Sequence, residues 1–325
     1  QPVKTISADI NGDGFLDKAV INQSANVVTI FTGDGQGFFT SSTVLNVGNG
    51  PVDGTFVDLN DDGFLDLAVV LNAVNVVRVY LGSAGGAFTP GVSLPTQAQP
   101  TSIVSGDFNK DGRKDIIVAC SGANTVNYFP GVGDGTFGPR ASVATGSQPT
   151  KLAVGDFNED FLLDAVVTNG SSVTVLIASG TGTFLTANYA VEDSPNSVVT
   201  GFLNADGFLD IAVANNLSAS VSVLRGRGDG TFDPALNYFA GADPVALTKG
   251  DLNGNGREDL IVGNGSSQGI TLLLGSAGGD YSTNVFLTTF MNSSYVTVDD
   301  VNGDERLDIT VLDELNERMK IILGQ

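Results

Sequence analysis

The chain reads as an all-β, seven-bladed β-propeller of four-stranded antiparallel blades, with the last blade lacking its outer strand. Three observations predict this. A nine-residue acidic signature, D-x-N-x-D-G-x-x-D or a near variant, begins at Asp9, Asp58, Asp107, Asp156, Phe202, Asp251 and Asp300. Successive starts lie 49 residues apart, except for one interval of 46, and a fixed period of this size marks a solenoid or a propeller. Between the signatures stand only short runs rich in branched and aromatic residues, separated by glycine and asparagine turns, which is strand rather than helix chemistry.

The elements of one repeat follow in order. Seven residues before the signature is a proline, at Pro2, Pro51, Pro100, Pro149, Pro195 and Pro244, with Ser293 in the seventh copy; it marks a loop entering the first strand. A short apolar strand comes next, as from Thr150 to Val154, then the acidic loop, then a second strand such as Asp66 to Leu71 or Asp115 to Cys120. A polar turn, as from Asn169 to Ser172, leads to a third strand, as from Val173 to Ile177. A glycine turn closed by an aromatic follows, from Gly131 to Phe137 or Gly226 to Phe232, with Phe39, Phe88, Phe184 and Tyr281 in the corresponding place. The fourth strand then runs to the next proline. The whole of 1–325 is one domain on this reading, with blades at about 1–49, 50–98, 99–147, 148–193, 194–242, 243–291 and 292–325. The sequence stops at Gly324 and Gln325, where a glycine turn is due. An upstream segment is therefore expected to supply the missing outer strand; otherwise the open edge can pair with another chain.

Each signature places oxygen donors at positions 1, 3, 5 and 9, with the main-chain carbonyl of position 7 as a fifth, a set of hard ligands that suits calcium. Three carboxylates within nine residues repel one another unless a cation sits among them. The predicted ligands are Asp9, Asn11, Asp13, Phe15 and Asp17 in the first copy, Asp58, Asn60, Asp62, Phe64 and Asp66 in the second, and Asp107, Asn109, Asp111, Arg113 and Asp115 in the third. The fourth uses Asp156, Asn158, Asp160, Leu162 and Asp164 but has Phe161 in place of the turn glycine. The fifth has Phe202 at position 1 and keeps Asn204, Asp206, Phe208 and Asp210. The sixth, Asp251, Asn253, Asn255, Arg257 and Asp259, has one charge fewer; the seventh, Asp300, Asn302, Asp304, Arg306 and Asp308, has Glu305 at the glycine position. About six tight ions are expected, with the fifth loop weak or empty. An EF-hand is excluded: its twelfth position needs a bidentate Glu, and Val20 and Val69 stand there.

The formal charge of −21 is mostly ligand, since seven calcium ions would leave about −7. The 15 Lys and Arg residues form no basic stripe, which argues against nucleic acid. No run is long enough for a transmembrane helix, and no signal peptide is present, as expected for a mature or trimmed chain. A lone Cys120 excludes an internal disulfide and reads as a small buried side chain on a second strand. Millimolar calcium outside the cell would fill even modest loops, so the metal can replace disulfides as the staple. The absence of histidine removes His-dependent triads and His-ligated zinc. Three carboxylates in five of the loops and two in the others already assign 19 of the 36 acidic residues to ion binding.

With its acidic loops and glycine–aromatic turns, the whole chain resembles the FG-GAP or VCBS repeats that build the integrin α-subunit N-terminal propeller and occur in bacterial surface proteins and a fungal propeller lectin. The resemblance implies partner binding on the face opposite the ion loops, or glycan binding between blades. That face carries the variable stretches Asn46 to Gly54, Thr96 to Thr101, Glu192 to Asn196, Gly241 to Asp243 and Asn292 to Tyr295. The expected function is an extracellular, monomeric, non-catalytic module for glycans or proteins. A polysaccharide lyase on the same scaffold and a structural spacer are the alternatives. Arg227, Gly228 and Asp229 spell a tripeptide that many integrins bind, yet Val132, Gly133 and Asp134 fill the same turn in another copy. Sequons at Asn22, Asn169, Asn216, Asn264 and Asn292 are explained as well by turn propensity as by glycosylation.

Overall fold

A computed structural model describes residues 1–325 except 267–268, 277, 282, 290–292, 294, 314–317 and 325. The sequon at Asn292 lies outside the described residues. Blade one is β1 (Pro2–Ala8), β2 (Asp17–Asn22), β3 (Val27–Gly33) and β4 (Phe39–Asn46); blade two is β5 (Pro51–Val57), β6 (Asp66–Leu71), β7 (Val76–Ser83) and β8 (Ala87–Pro95). Blade three is β9 (Pro100–Gly106), β10 (Asp115–Cys120), β11 (Thr125–Phe129) and β12 (Ala141–Ala144). Blade four is β13 (Leu152–Gly155), β14 (Asp164–Thr168), β15 (Ser172–Ala178) and β16 (Phe184–Ala190), and blade five is β17 (Pro195–Gly201), β18 (Asp210–Asn215), β19 (Ser220–Leu224) and β20 (Leu236–Phe239). Blade six is β21 (Pro244–Gly250), β22 (Asp259–Asn264), β23 (Gly269–Leu274) and β24 (Thr283–Leu287); blade seven has β25 (Tyr295–Asp299), β26 (Asp308–Asp313) and β27 (Arg318–Ile322). Each sheet is antiparallel in simple sequence order. The predicted class, seven blades with a three-stranded last one, is the observed one. Among the described residues the single helical element is a 3₁₀ turn, Asn72–Val74, and no helix is long and apolar enough to cross a membrane.

The chain divides into two compact units. One comprises Gln1–Pro149, Ser179–Thr183 and Val301–Asp304; the other comprises Thr150–Ala178, Phe184–Asp300 and Glu305–Gln325. In the first, the innermost strands β1, β5 and β9 pack in succession; in the second, β13, β17, β21 and β25 do the same.

The second strands explain the cores. Side chains alternate between the two faces of a strand, and both faces of blades two and five are covered by their neighbours. In β6, Leu67, Val69 and Leu71 pack toward blade one beside Ile21 and Val28, while Ala68 and Val70 pack toward blade three beside Ile116 and Val118. In β18, Ile211 and Val213 meet blade four, and Ala212 and Ala214 meet blade six. These strands therefore read as continuous apolar runs. Each fully buried branched side chain contributes about 1.5–3 kcal/mol.

Two local expectations are corrected. Pro2, Pro51, Pro100, Pro195 and Pro244 are buried first residues of their strands rather than loop residues, a position where a missing N–H costs the ladder nothing. Blade four starts its first strand three residues after Pro149, at Leu152. Two of the three residues missing from its repeat are localised, because the Asn169 amide bonds the Ser172 carbonyl at 2.8 Å in a hairpin two residues tighter than its counterparts.

Candidate functional site

The acidic loops join first to second strands and share one internal geometry. In the first, Asp9 accepts the amides of Gly12 and Asp13 through Oδ1 and that of Gly14 through Oδ2. Asn11 Oδ1 accepts the Asp13 amide at 2.8 Å, Asn11 Nδ2 donates to Asp13 Oδ2 at 3.0 Å, and Asp13 Oδ1 accepts the Phe15 amide at 2.9 Å. Apart from the Gly12 amide, the second, third and fourth loops repeat these contacts through Asp58, Asn60 and Asp62, Asp107, Asn109 and Asp111, and Asp156, Asn158 and Asp160. The sixth repeats the amide pattern through Asp251, Asn253 and Asn255. In the seventh, Asp300 holds the Glu305 amide and Asn302 that of Asp304.

Position 9 has a role that the ligand reading missed. Asp66, fully buried, accepts the Leu59 amide through Oδ2 and the Gly82 amide through Oδ1, both at 2.8 Å. Asp17 ties Ile10 to Gly33, Asp115 ties Phe108 to Gly131, Asp164 ties Phe157 to Ala178, Asp210 ties Leu203 to Gly226, and Asp259 ties Leu252 to Gly275. Asp308 holds the Gly324 amide. This aspartate thus staples the loop to the end of the third strand. The sequence signal was the glycine 16 residues later: a Cβ on Gly33, Gly82, Gly131 or Gly226 would overlap the carbonyl oxygen just before the aspartate.

Burial pushes these carboxyls upward against the amides that lower them. Asp164 and Asp210 are pushed up to about 6, while Asp17, Asp66, Asp115 and Asp259 are raised for the same reason. Tyr128 also donates to Asp115, at 2.8 Å, and burial followed by that bond raises its phenol. A cation beside any of these groups would favour the ionised form.

No group of three His, Cys, Asp or Glu side chains is poised as a metal cage among the described residues. The loops turn their carboxylates onto amide hydrogens, and the oxygens keep further lone pairs. Their donor set of carboxylate, Asn amide and main-chain carbonyl fits a hard cation such as calcium. Residues Phe15, Phe64, Arg113, Leu162, Phe208, Arg257 and Arg306 hold position 7, and the Phe15 and Phe208 rings lie over Gly35 and Gly228 of the following glycine turns. The fifth loop is the poorest: lacking an acid at position 1, it retains the Asn204–Asp206 and Asp206–Phe208 bonds, and Asn204 Nδ2 turns to Asp210 at 3.4 Å.

A cavity of about 490 Å³ lies between β16 and β20, lined by Asn188, Tyr189, Glu192, Phe232, Asp233 and Asn237 among others. Glu192, from the variable fourth-to-first connection, accepts Ser220 Oγ and, at 3.1 Å, Asn237 Nδ2. Tyr189 meets Phe232 edge to face, with ring centroids 5.4 Å apart. The adjacent tripeptide is internally paired: Arg227 binds Asp233, and Asp229 accepts the Thr231 amide and hydroxyl. Of the sequons, Asn169 and Asn264 are buried, donating to Thr174 and Thr271, so turn and core chemistry accounts for both. Asn22 donates to Thr29 and Asn216 to Asp243. Cys120 is buried, as expected for a packing residue.

A family model for FG-GAP-like repeats matches residues 9–69, 58–118, 107–167, 203–262 and 251–311. No curated protein matches the sequence. Among solved structures, the chain is similar to BBS1N from a complex with ARL6DN (TM-score 0.70, 12% identity, covering 99% of this chain and 91% of that one). It is also similar to an Agrocybe aegerita lectin specific for non-reducing terminal N-acetylglucosamine (0.64, 18%, 96% and 86%). A third is the virginiamycin B lyase of Staphylococcus aureus, in an inactive form with quinupristin (0.67, 14%, 99% and 94%). At these identities the likeness is one of fold, the β-propeller.

Proposed function

Because this chain belongs to the FG-GAP-like repeat family, we propose that it is a calcium-stabilised, non-catalytic recognition module that works outside the cell. The observation that carries this reading is the loop geometry repeated from blade to blade. In the first four loops, positions 1, 3 and 5 are pre-turned by amide hydrogen bonds, and position 9 is stapled into the core. A bound ion would neutralise the acidic side chains of its loop and cross-link the first strand to the second. Asp9, Asn11, Asp13 and Asp17 and their counterparts would hold it. The fifth loop, without an acid at position 1, would hold it least well.

For the ligand, the cleft between β16 and β20 supports a glycan. Its apolar walls carry a few polar groups, the amides of Asn188 and Asn237 and the carboxylate of Glu192, a composition typical of small-molecule sites. The Agrocybe lectin of the same fold, which recognises N-acetylglucosamine, makes a sugar the first class to try. Two measurements test the reading. Melting in calcium against EDTA, with ion stoichiometry on the same sample, should give a large loss of stability on chelation and about six tight ions. Unchanged melting with fewer than about two ions would reduce the loops to acidic turns. A glycan array should then give discrete hits with intact sugar recovered; release of unsaturated sugar from polyuronates would make the chain a lyase instead.

A further inference from the structure

We propose that the groove between the fourth and fifth acidic loops is a docking site for a polypeptide segment presenting an apolar side chain next to Lys or Arg. The two loops depart from the repeat at different positions and to the same residue type. Phe161 replaces the turn glycine and Phe202 replaces the first acid. The fold brings both to one groove of about 430 Å³, with Phe157 and Leu209 in its walls and Asp156 and Glu159 among its lining residues.

Neither substitution is repaid by full burial. Phe161 sits at φ +66°, a conformation that costs an L-residue about 1–2 kcal/mol. Phe161 is 91% exposed and Phe202 is 54% exposed, so the first gains almost none, and the second less than half, of the burial that makes phenylalanine favourable. Glu305 occupies the same slot at φ +65° in the seventh loop, so left-handed backbone alone marks nothing. The distinguishing feature is two exposed aromatics converging on one apolar groove, and strain combined with an exposed apolar patch is characteristic of interaction sites.

Charge identifies the occupant. Residues 152–164 and 201–210 contain Asp156, Glu159, Asp160, Asp164, Asp206 and Asp210 and no Lys or Arg. One calcium ion in the fourth loop would still leave a formal −4. Of the nearby cations, Arg227 is held by Asp233, and Lys249, beside Gly201, is held by Glu258. A cationic partner is therefore favoured over an anionic lipid surface. A neutral sugar would leave that charge uncompensated, so a cationic ligand is favoured over it as well. The cleft proposed above for glycans is a different one, and this groove needs no bound ion, so either reading can fail without the other.

The test is to pan a displayed library of random peptides on the full chain and measure the synthesised winners by fluorescence anisotropy, in calcium and in EDTA. The winners should combine Lys or Arg with aromatic or aliphatic residues and weaken as salt is raised. Phe161→Gly restores the residue carried by the first three loops and should fold; it should weaken binding by about tenfold or more, as should Phe202→Ala. Absence of enrichment, winners without positive charge, or binding untouched by both substitutions would overturn the proposal. Binding of anionic vesicles or of array glycans that is lost in Phe161→Gly, with no peptide bound, would overturn it as well and assign the groove to lipid or sugar.

Discussion

The ammonium of Lys4 closes on the carboxylate of Asp53, the residue 49 positions later and at the same place in the next repeat. Asp53 is buried and also accepts Ser102 Oγ at 2.7 Å, from the same place in the repeat after that. Because β1, β5 and β9 pack in succession, one position of the repeat becomes a row of neighbours, and its side chains need mutually compatible charge. Removing Asp53 strands a partly buried ammonium and the Ser102 hydroxyl. Asp53→Ala should lose about 1–3 kcal/mol in urea unfolding, and Lys4→Met combined with Asp53→Leu should recover part of it. Equal stability of Asp53→Ala and the native chain would mean the pair is solvated.

Positions 5 and 9 of a loop should separate under chelation. Asp66 satisfies two buried amides, so Asp66→Asn turns an NH2 group toward a donor and should cost about 1–3 kcal/mol even in EDTA. Asp62 is exposed and bonds only within its loop. Asp62→Asn should be nearly silent in EDTA and should lower the melting temperature only when calcium is present. Identical behaviour of the two variants would remove the distinction between staple and ligand.

Glu305 holds a left-handed backbone where other loops have glycine. Its side chain is exposed, so the conformation is not compensated by burial. Glu305→Gly should stabilise the chain by about 1 kcal/mol, visible as a higher melting temperature in EDTA. A lower melting temperature would show that the Glu305 side chain contributes more than its backbone costs.

Cys120 supplies a pH dependence. Burial pushes its thiol from an ordinary value of 9.0 up to about 11. Unfolded chains lose this proton near 9.0 while folded ones keep it to about 11, so folded chains bind more protons in that interval. The contribution is intact below 9.0 and declines as pH rises through the interval. Cys120→Ala should flatten that decline, and the native thiol should resist Ellman's reagent until the chain unfolds. Rapid labelling of folded protein would contradict the burial.

The repeat period, the strand count per blade and the acidic loops were legible in the sequence because each is local: period, alternation and turn chemistry act within one blade, whatever surrounds it. The second strands from Asp66 to Leu71 and from Asp115 to Cys120 even have the bounds the residues suggest. What the tertiary structure decided are relations between segments distant in the chain. The position-9 aspartate is half of a staple only because the end of the third strand folds back onto the loop. Lys4 and Asp53 are partners only because equivalent strands stack. Phe161 and Phe202, which read separately as defects in two loops, share one groove only once blades four and five are packed. A linear sequence carries the chemistry of each group, and only packing sets the distances through which those groups act.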